Sequence, residues 1–276
     1  MSERATLRLW HADTTVTLPD DPLACVADGP IVHVVINRPA KRNAITLQIW
    51  HDMAATMERL AADPTVKLLV LRGAGTQAFS PGADIQEFPE VFRDAETTRA
   101  YNAAVRAAQI ALERLNKPTL AVIYGPCVGG GCGIALSCDL RFAAEDARLG
   151  ITPSKLGLAY SPPDVRRLVA LVGPSRAKDI IYSGRLLSAP EAKNAGLVDF
   201  LAPAVELEEI AARYALDLLA NSQHSIRTSK AIINSVAGIH VRPDDELDRI
   251  FQDTFQGHDF REGYAAFIAK RRPRFE

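Results

Sequence analysis

Three consecutive glycines, Gly129, Gly130 and Gly131, stand in the run "GPCVGGGCGIALSCDLRF" (125–142), where an apolar strand signal hands over to a helix signal. A helix N-terminus presents unpaired N–H groups and the positive end of the macrodipole, and glycine lets a ligand oxygen approach them without a Cβ in the way. That chemistry is the holding of an anion or an oxyanion. The run fits neither a Walker loop, since no Lys-Ser/Thr pair follows, nor a dinucleotide fingerprint, since GxGxxG is absent. Glycines before a helix also serve tight helix–strand packing, and the triplet alone does not choose between the two uses. A second turn changes the odds: "AFSPGADI" (78–85) sets Gly82 and Ala83 after another strand and before a short helical stretch. Two such turns can bring two backbone N–H donors to one oxygen, the arrangement that stabilises an enolate or a tetrahedral intermediate.

Other chemistry-bearing side chains carry weaker signals. Cys25, Cys127, Cys132 and Cys138 form no CxxC pair and have no histidine at ligand spacing, so neither a metal site nor a disulfide framework is expected. They read as small buried thiols, with Cys132 a candidate nucleophile only through the nearby helix N-terminus. His33 alternates with Val32 and Val34 and reads as a strand-face residue outside the site.

The elements that must position these turns alternate along the first half. "CVADGPIVHVVINRP" (25–39) carries a hairpin signal around Asp28-Gly29-Pro30. A helix is predicted from Asn43 to Leu60 after a cap at Thr46, a buried strand over 66–75, a second helix over about 96–115, a strand over 119–125 after Pro118 and another over 139–145. Strand and helix in alternation predict right-handed crossovers and a parallel sheet, with ligands at the carboxyl ends of the strands, where both glycine turns fall. After about residue 160 the strand signals mostly stop, and 174–183, 188–196, 204–220, 222–236 and 244–270 read as helices broken by Pro190, Gly196, Pro203, Gly238, Pro243 and Gly257.

Composition bounds the possibilities. A chain of 276 residues with 47% hydrophobic residues can bury a large core, and a formal net charge of -1 gives no basic excess for nucleic acid. The longest apolar runs, such as "PTLAVIY" (118–124), are far shorter than the ~20 residues of a membrane span. The N-terminal run "MSERATLRLWHADTTVTLPDD" lacks a continuous apolar stretch and a cleavage site, so a cytoplasmic protein is expected.

Taken together, "INRPAKRNAI", "FSPGADIQEF", "KPTLAVIYGPCVGGGCGIALSCDLRFAAEDARLG", "SGRLLSAPEAKNAGLVD" and "EGYAAFIAKRRPRF" resemble the crotonase superfamily, the enoyl-CoA hydratase/isomerase family, from about residue 25 to the end. The resemblance implies an α/β fold with a spiral core of ββα units over 25–202, a C-terminal helical region over 203–276 used in trimer formation, and an N-terminal extension over 1–24. It implies an acyl-CoA thioester substrate whose carbonyl oxygen is held by the N–H groups of Ala83 and Gly130. Coenzyme A enters only as part of that substrate, with no separate cofactor. Lys41, Arg42 and Ala44 match the segment lining its nucleotide part, and Phe267 and Lys270 match positions that reach it, often from a neighbouring subunit; the run Lys270-Arg271-Arg272 also reads as a solvated tail. Gly82, Asp84, Ile85, Gly129, Gly133 and Pro153 complete the expected binding set. A homotrimer or a pair of trimers is expected.

The acids of the family are missing. Its hydratases carry one glutamate directly after "GGGC" and another in a "PExxLG" segment; here those positions are Gly133 and Pro153, in "GITPSKLG" (150–157). Each positioned acid or base contributes typically ~10²–10⁴-fold, so the losses argue against efficient hydration, and simple isomerisation usually needs the second carboxylate. Tyr160 falls where methylmalonyl-CoA decarboxylases carry a tyrosine, in a "TPxxLGxxY" pattern met by Thr152, Pro153, Leu156, Gly157 and Tyr160, although those enzymes carry a histidine in the first oxyanion loop and this chain has "SPGAD". Tyr160 otherwise reads as an interface or core aromatic. Asp164 in "SPPD" reads as a capping-box partner of Ser161 in preference to a base, and Asp84, Glu87 and Asp139 read as loop-fixing or helix-terminal charges, with Glu87 retained as a candidate base. Three readings follow: a hydratase/isomerase-type enzyme working through a thioester enolate, an acyl-CoA decarboxylase, and a noncatalytic acyl-CoA-binding subunit.

Overall fold

The computed structural model describes residues 5–275, so the first four residues of the expected N-terminal extension lie outside the described part. Two short strands, β1 (Thr6–Arg8) and β2 (Thr15–Thr17), pair as an antiparallel ribbon. β3 (Leu23–Asp28) and β4 (Ile31–Ile36) form the hairpin expected around Asp28-Gly29-Pro30. α1 (Leu47–Ala62) starts where Thr46 accepts a hydrogen bond from the Ile49 N–H at 3.3 Å, which satisfies one of the orphan donors of a helix start. Its buried face, Ile49, Trp50, Met53, Met57 and Leu60, follows the helical period.

Next come β5 (Leu68–Gly73), α2 (Phe88–Val91), α3 (Ala95–Glu113), β6 (Thr119–Ile123), β7 (Pro126–Val128), α4 (Gly130–Ser137), β8 (Leu140–Ala144) and β9 (Arg148–Gly150). The second half holds α5 (Pro162–Ser183), broken at Gly173 before Pro174, then β10 (Leu187–Ser188), α6 (Ala189–Ala195), β11 (Phe200–Ala202), α7 (Leu207–Leu219), α8 (Gln223–Val236), α9 (Asp244–Asp253) and α10 (His258–Ile268). Strands do persist beyond residue 160, but β10 and β11 are too short to leave a periodic signal. No helix among the described residues is long and apolar enough to cross a membrane.

Six strands form one sheet in the order β11-β8-β6-β5-β4-β3, parallel except for the β3–β4 hairpin, and β10-β9-β7 form a second, smaller sheet. Successive turns of chain feed both: β5 is followed by a bridge from Ser80 to Cys127, β6 by β7, and β8 by β9. This spiral replaces the single doubly wound sheet that alternation alone suggests, because β7 and β9 are too short to be read as strands. β4, β5 and β6 are buried along their whole length, as strands covered on both faces must be. Leu69 and Leu71 face α1, α3 and α4, while Leu68 and Val70 face α7 and Trp10.

On the α7 side, His33 is buried beside Trp10, with its Nε2 3.4 Å from Asp28 Oδ2. Burial, helped by the positive Arg72, pulls the His33 pKa from 6.5 down to about 4, against the pull of Asp28. As pH falls below 6.5 the unfolded chain takes up a proton that the folded ring refuses until about 4. Stability therefore falls by roughly 3 kcal/mol as pH drops across this window. Urea unfolding at a series of pH values is expected to show that fall in wild type and a flatter profile in His33→Gln.

Candidate active site

The two glycine turns meet backbone to backbone. Ile45 donates to Gly82 O at 2.8 Å and accepts from the Asp84 N–H at 2.9 Å, so in this parallel bridge the N–H of Ala83, the residue between them, faces away from Ile45. A Cβ on Gly82 would stand 2.8 Å from Gly130 N and 2.9 Å from Val128 O, which only glycine avoids. Gly129, at φ 55° and ψ -118°, turns the chain into α4. Its carbonyl accepts from the Gly133 N–H at 3.0 Å and from the Tyr160 hydroxyl at 3.3 Å. Peptide planarity then directs the Gly130 N–H of the same unit the opposite way. Neither the Ala83 N–H nor the Gly130 N–H donates to an acceptor among the described residues.

Neighbouring side chains hold this junction. Arg38, which sequence reasoning passed over, donates through Nη1 to Ala44 O at 2.7 Å and to Asp84 Oδ2 at 2.8 Å, tying the 38–45 segment to the Gly82 turn. Burial opposes the Asp84 charge, but Arg38 and the Gln86 N–H outweigh it and hold its pKa below the ordinary value. Beneath Gly130 lies Trp50, whose ring would be 3.3 Å from a Cβ there, and whose Nε1 donates to the Tyr101 hydroxyl at 3.3 Å. Phe92 and Phe88 extend this aromatic floor.

The position of the absent first glutamate is crowded by polar atoms. A Cβ on Gly133 would lie 2.5 Å from Gln109 Nε2 and 3.0 Å from both Asp164 Oδ1 and the Tyr160 hydroxyl. Ser161 does cap the helix, accepting from the Asp164 N–H at 3.4 Å, but its hydroxyl donates to Asp164 Oδ2 at 2.6 Å in place of the Ser161 N–H that a capping box would use. Asp164 Oδ1 turns inward and accepts from Arg167 Nη1 at 3.0 Å. Arg167 is shared with Glu113, which also pairs with Arg166 at 3.3 Å. Burial raises the Asp164 pKa above the ordinary carboxylate value despite Ser161, Arg167 and Gln109. Burial, then the nearby Asp164 charge, push the Tyr160 phenol well up.

The remaining residues spread around this centre. Glu87 Oε2 accepts from the Leu47 N–H at 2.7 Å, so this carboxylate fixes the start of α1. Asp139 accepts from the Thr119 N–H and from Lys230, both at 2.8 Å, at the far end of α4. Lys41 is exposed and reaches Gln86 Oε1 at 3.3 Å, Arg42 has a left-handed φ of 51°, Ala44 is buried, Ile85 is exposed, and Pro153 opens a short 3₁₀ turn. Phe267 is exposed on α10, and Lys270, just past its end, has a left-handed φ of 52°. A cavity of about 470 Å³ lies between the C-terminal end of α4 and α5, α7 and α8; it shares Glu113 and Arg167 with the polar cluster, but neither Ala83 nor Gly130 lines it.

This geometry has relatives. The profile of the family described as Enoyl-CoA hydratase/isomerase matches residues 27–276. The Short-chain-enoyl-CoA hydratase of Clostridium acetobutylicum is 32% identical over 248 residues, covering 89% of this chain and 94% of that protein. Among solved structures, an enoyl-CoA hydratase/isomerase family protein from Hyphomonas neptunium superposes with a TM-score of 0.89 at 38% identity, over 93% of this chain and 98% of its own. A protein described as an enoyl-CoA hydratase/carnithine racemase from Magnetospirillum magneticum does so with a TM-score of 0.88 at 34% identity, over 94% and 97%.

Proposed function

Because this chain belongs to the enoyl-CoA hydratase/isomerase family and has its crotonase fold, we propose that it transforms an acyl-CoA thioester by stabilising the enolate at its carbonyl oxygen. The observation that carries this reading is the junction at Gly82 and Gly130, where two main-chain amides, Ala83 and Gly130, have no acceptor among the described residues. Preorganised donors aimed at a developing oxyanion are worth about 10²–10³-fold each. Lys41, Arg42 and Ala44 stand beside the Gly82 turn and would meet the nucleotide part of coenzyme A. The exposed aromatic face along α9, α10 and the turn between them, with Phe251, Phe255, Phe260 and Tyr264, suits the homotrimer expected of this chain.

Tyr160 enters as the polar side chain that both bonds Gly129 O and stands beside Gly133. A hydroxyl bonded to the Gly129 carbonyl holds the peptide whose N–H is the proposed donor and polarises it. Decarboxylation suits the cluster less well, since Asp164 would repel a substrate carboxylate at Tyr160.

The test presents the protein with crotonyl-CoA, a 3-enoyl-CoA and methylmalonyl-CoA. Turnover of the 3-enoyl-CoA is expected, and binding without turnover of any of the three would replace the enzyme by an acyl-CoA-binding subunit. Tyr160→Phe is expected to lower turnover roughly ten-fold with unchanged substrate affinity, the effect of one lost neutral hydrogen bond. Full turnover in that variant would take Tyr160 out of the mechanism.

A further inference from the structure

Isomerisation through an enolate needs a group that accepts the α-proton, and neither Gly133 nor Pro153 can. Besides the Tyr160 hydroxyl, the oxygen that stands beside the missing glutamate position is a carboxylate oxygen from another helix. Asp164, at the start of α5, sends Oδ1 to within 3.0 Å of the point where a Cβ on Gly133 would stand. Gly130 and Gly133 are three residues apart on α4, which makes them neighbours on one helix face, about 5–6 Å apart. A carboxylate oxygen is thereby delivered about one helical turn from the amide proposed to hold the thioester oxygen. Its orientation is fixed twice, by Ser161 Oγ on Oδ2 at 2.6 Å and by Arg167 Nη1 on Oδ1 at 3.0 Å.

Resting on the acyl-CoA reading above, we infer that Asp164 is the catalytic acid–base of this site and that the reaction it serves is the 3-enoyl to 2-enoyl isomerisation of an acyl-CoA. The Asp164 carboxylate removes a proton from the α-carbon. The electron pair of that C–H bond forms the enolate double bond, and negative charge moves onto the thioester oxygen between Ala83 and Gly130. As the carbonyl re-forms, the pair flows through the conjugated system to the γ-carbon, which takes the same proton from the Asp164 carboxylic acid. The double bond now lies between the α- and β-carbons, the carboxylate is restored, and nothing is oxidised or hydrated.

One carboxyl group suffices for this cycle, whereas hydration needs a second group to activate water. Asp164 is the carboxylate among the atoms nearest a Cβ on Gly133, whereas Glu113 on α3 is paired with Arg166 and Arg167 and Glu87 binds the Leu47 N–H at the start of α1. The groups facing Asp164 are Tyr160 and Ser161 from the loop before α5, Arg167 on α5, Gln109 and Glu113 on α3, and Gly133 on α4. Because Arg167 divides its charge with Glu113, burial prevails and Asp164 is more basic than an exposed aspartate.

The deciding measurement is exchange of the α-protons of butyryl-CoA in deuterium oxide, followed by NMR beside 3-enoyl-CoA isomerisation. Asp164→Asn is expected to slow both by about 10²–10⁴-fold, with butyryl-CoA affinity within about three-fold of wild type and partial recovery in Asp164→Glu. Wild-type exchange is expected to fall on the acid side with an inflection above the ordinary aspartate value of about 3.9. A folded Asp164→Asn with near-wild-type exchange overturns the assignment. If that variant does not fold, wild-type exchange that stays level through the acid range overturns it instead, and the expected inflection supports it. Wild type that binds butyryl-CoA without exchanging its protons also overturns it, while failure to bind any acyl-CoA removes the functional reading itself.

Discussion

Gly129→Ala is expected to cost about 10²–10³-fold in turnover while leaving the chain folded, the loss typical of one oxyanion donor. A Cβ at Gly129 meets no heavy atom closer than Pro81 O at 3.9 Å, so the substitution causes no collision. Its difficulty is conformational: φ 55° with ψ -118° is a backbone region that residues with a Cβ avoid, at about 1–3 kcal/mol. The simplest relief is rotation of the 129–130 peptide, which takes its carbonyl off the Gly133 N–H and the Tyr160 hydroxyl and turns the Gly130 N–H out of line. Steady-state kinetics with 3-enoyl-CoA alongside thermal unfolding separates the two effects. Gly75→Ala is the control, since Gly75 also has a positive φ, 70°, with nothing within 4 Å of a Cβ; it should lose stability without losing turnover. Full activity in a folded Gly129→Ala protein would remove the Gly130 amide from catalysis.

Arg72→Met should produce the largest stability change, about 3–5 kcal/mol, as expected when one partner of a buried ion pair is removed. Arg72 on β5 grips Glu208 of α7 with two hydrogen bonds, 2.6 Å and 2.8 Å, and Trp10 Nε1 donates to the same carboxylate at 2.6 Å. Asp28 holds the adjoining chain through the N–H groups of His11 at 2.7 Å and Ala12 at 2.8 Å. The N-terminal segment, the sheet and α7 therefore share one polar junction. Burial opposes the Glu208 charge but Arg72 outweighs it, keeping the pKa below the ordinary value; without Arg72 the buried charge keeps hydrogen bonds from the neutral Trp10 and Tyr124 but loses its paired cation. Urea unfolding of Arg72→Met and of Arg72→Met/Glu208→Leu tests this. The double variant should regain most of the loss, because replacing both charges removes the unpaired one.

Local signals were legible wherever a residue acts on its own neighbourhood. Thr46 and Ser161 cap the helices that follow them, the Asp28-Gly29-Pro30 hairpin forms, and the three glycines open α4, because each of these depends on hydrogen bonds within a few residues. Asp164 shows the limit of that reading. Its place beside the Ser161 cap was visible from "SPPD", yet its other oxygen serves a separate purpose that only Gln109, Gly133 and Arg167 reveal. The bond from Arg167 to Glu113 spans 54 residues, and the one from Arg38 to Asp84 spans 46. No periodicity or motif carries such a pairing.

The sequence by itself determined the family, the glycine turns that let two amides lie bare, and the loss of the usual glutamates. Only the tertiary structure decided that α3, α4 and α5 converge on Gly133 and bring another carboxylate to its side. The reason is directional: residue order determines which groups exist and how they cap their own helices, but where a side chain points across a helix interface depends on how three separately folded segments pack.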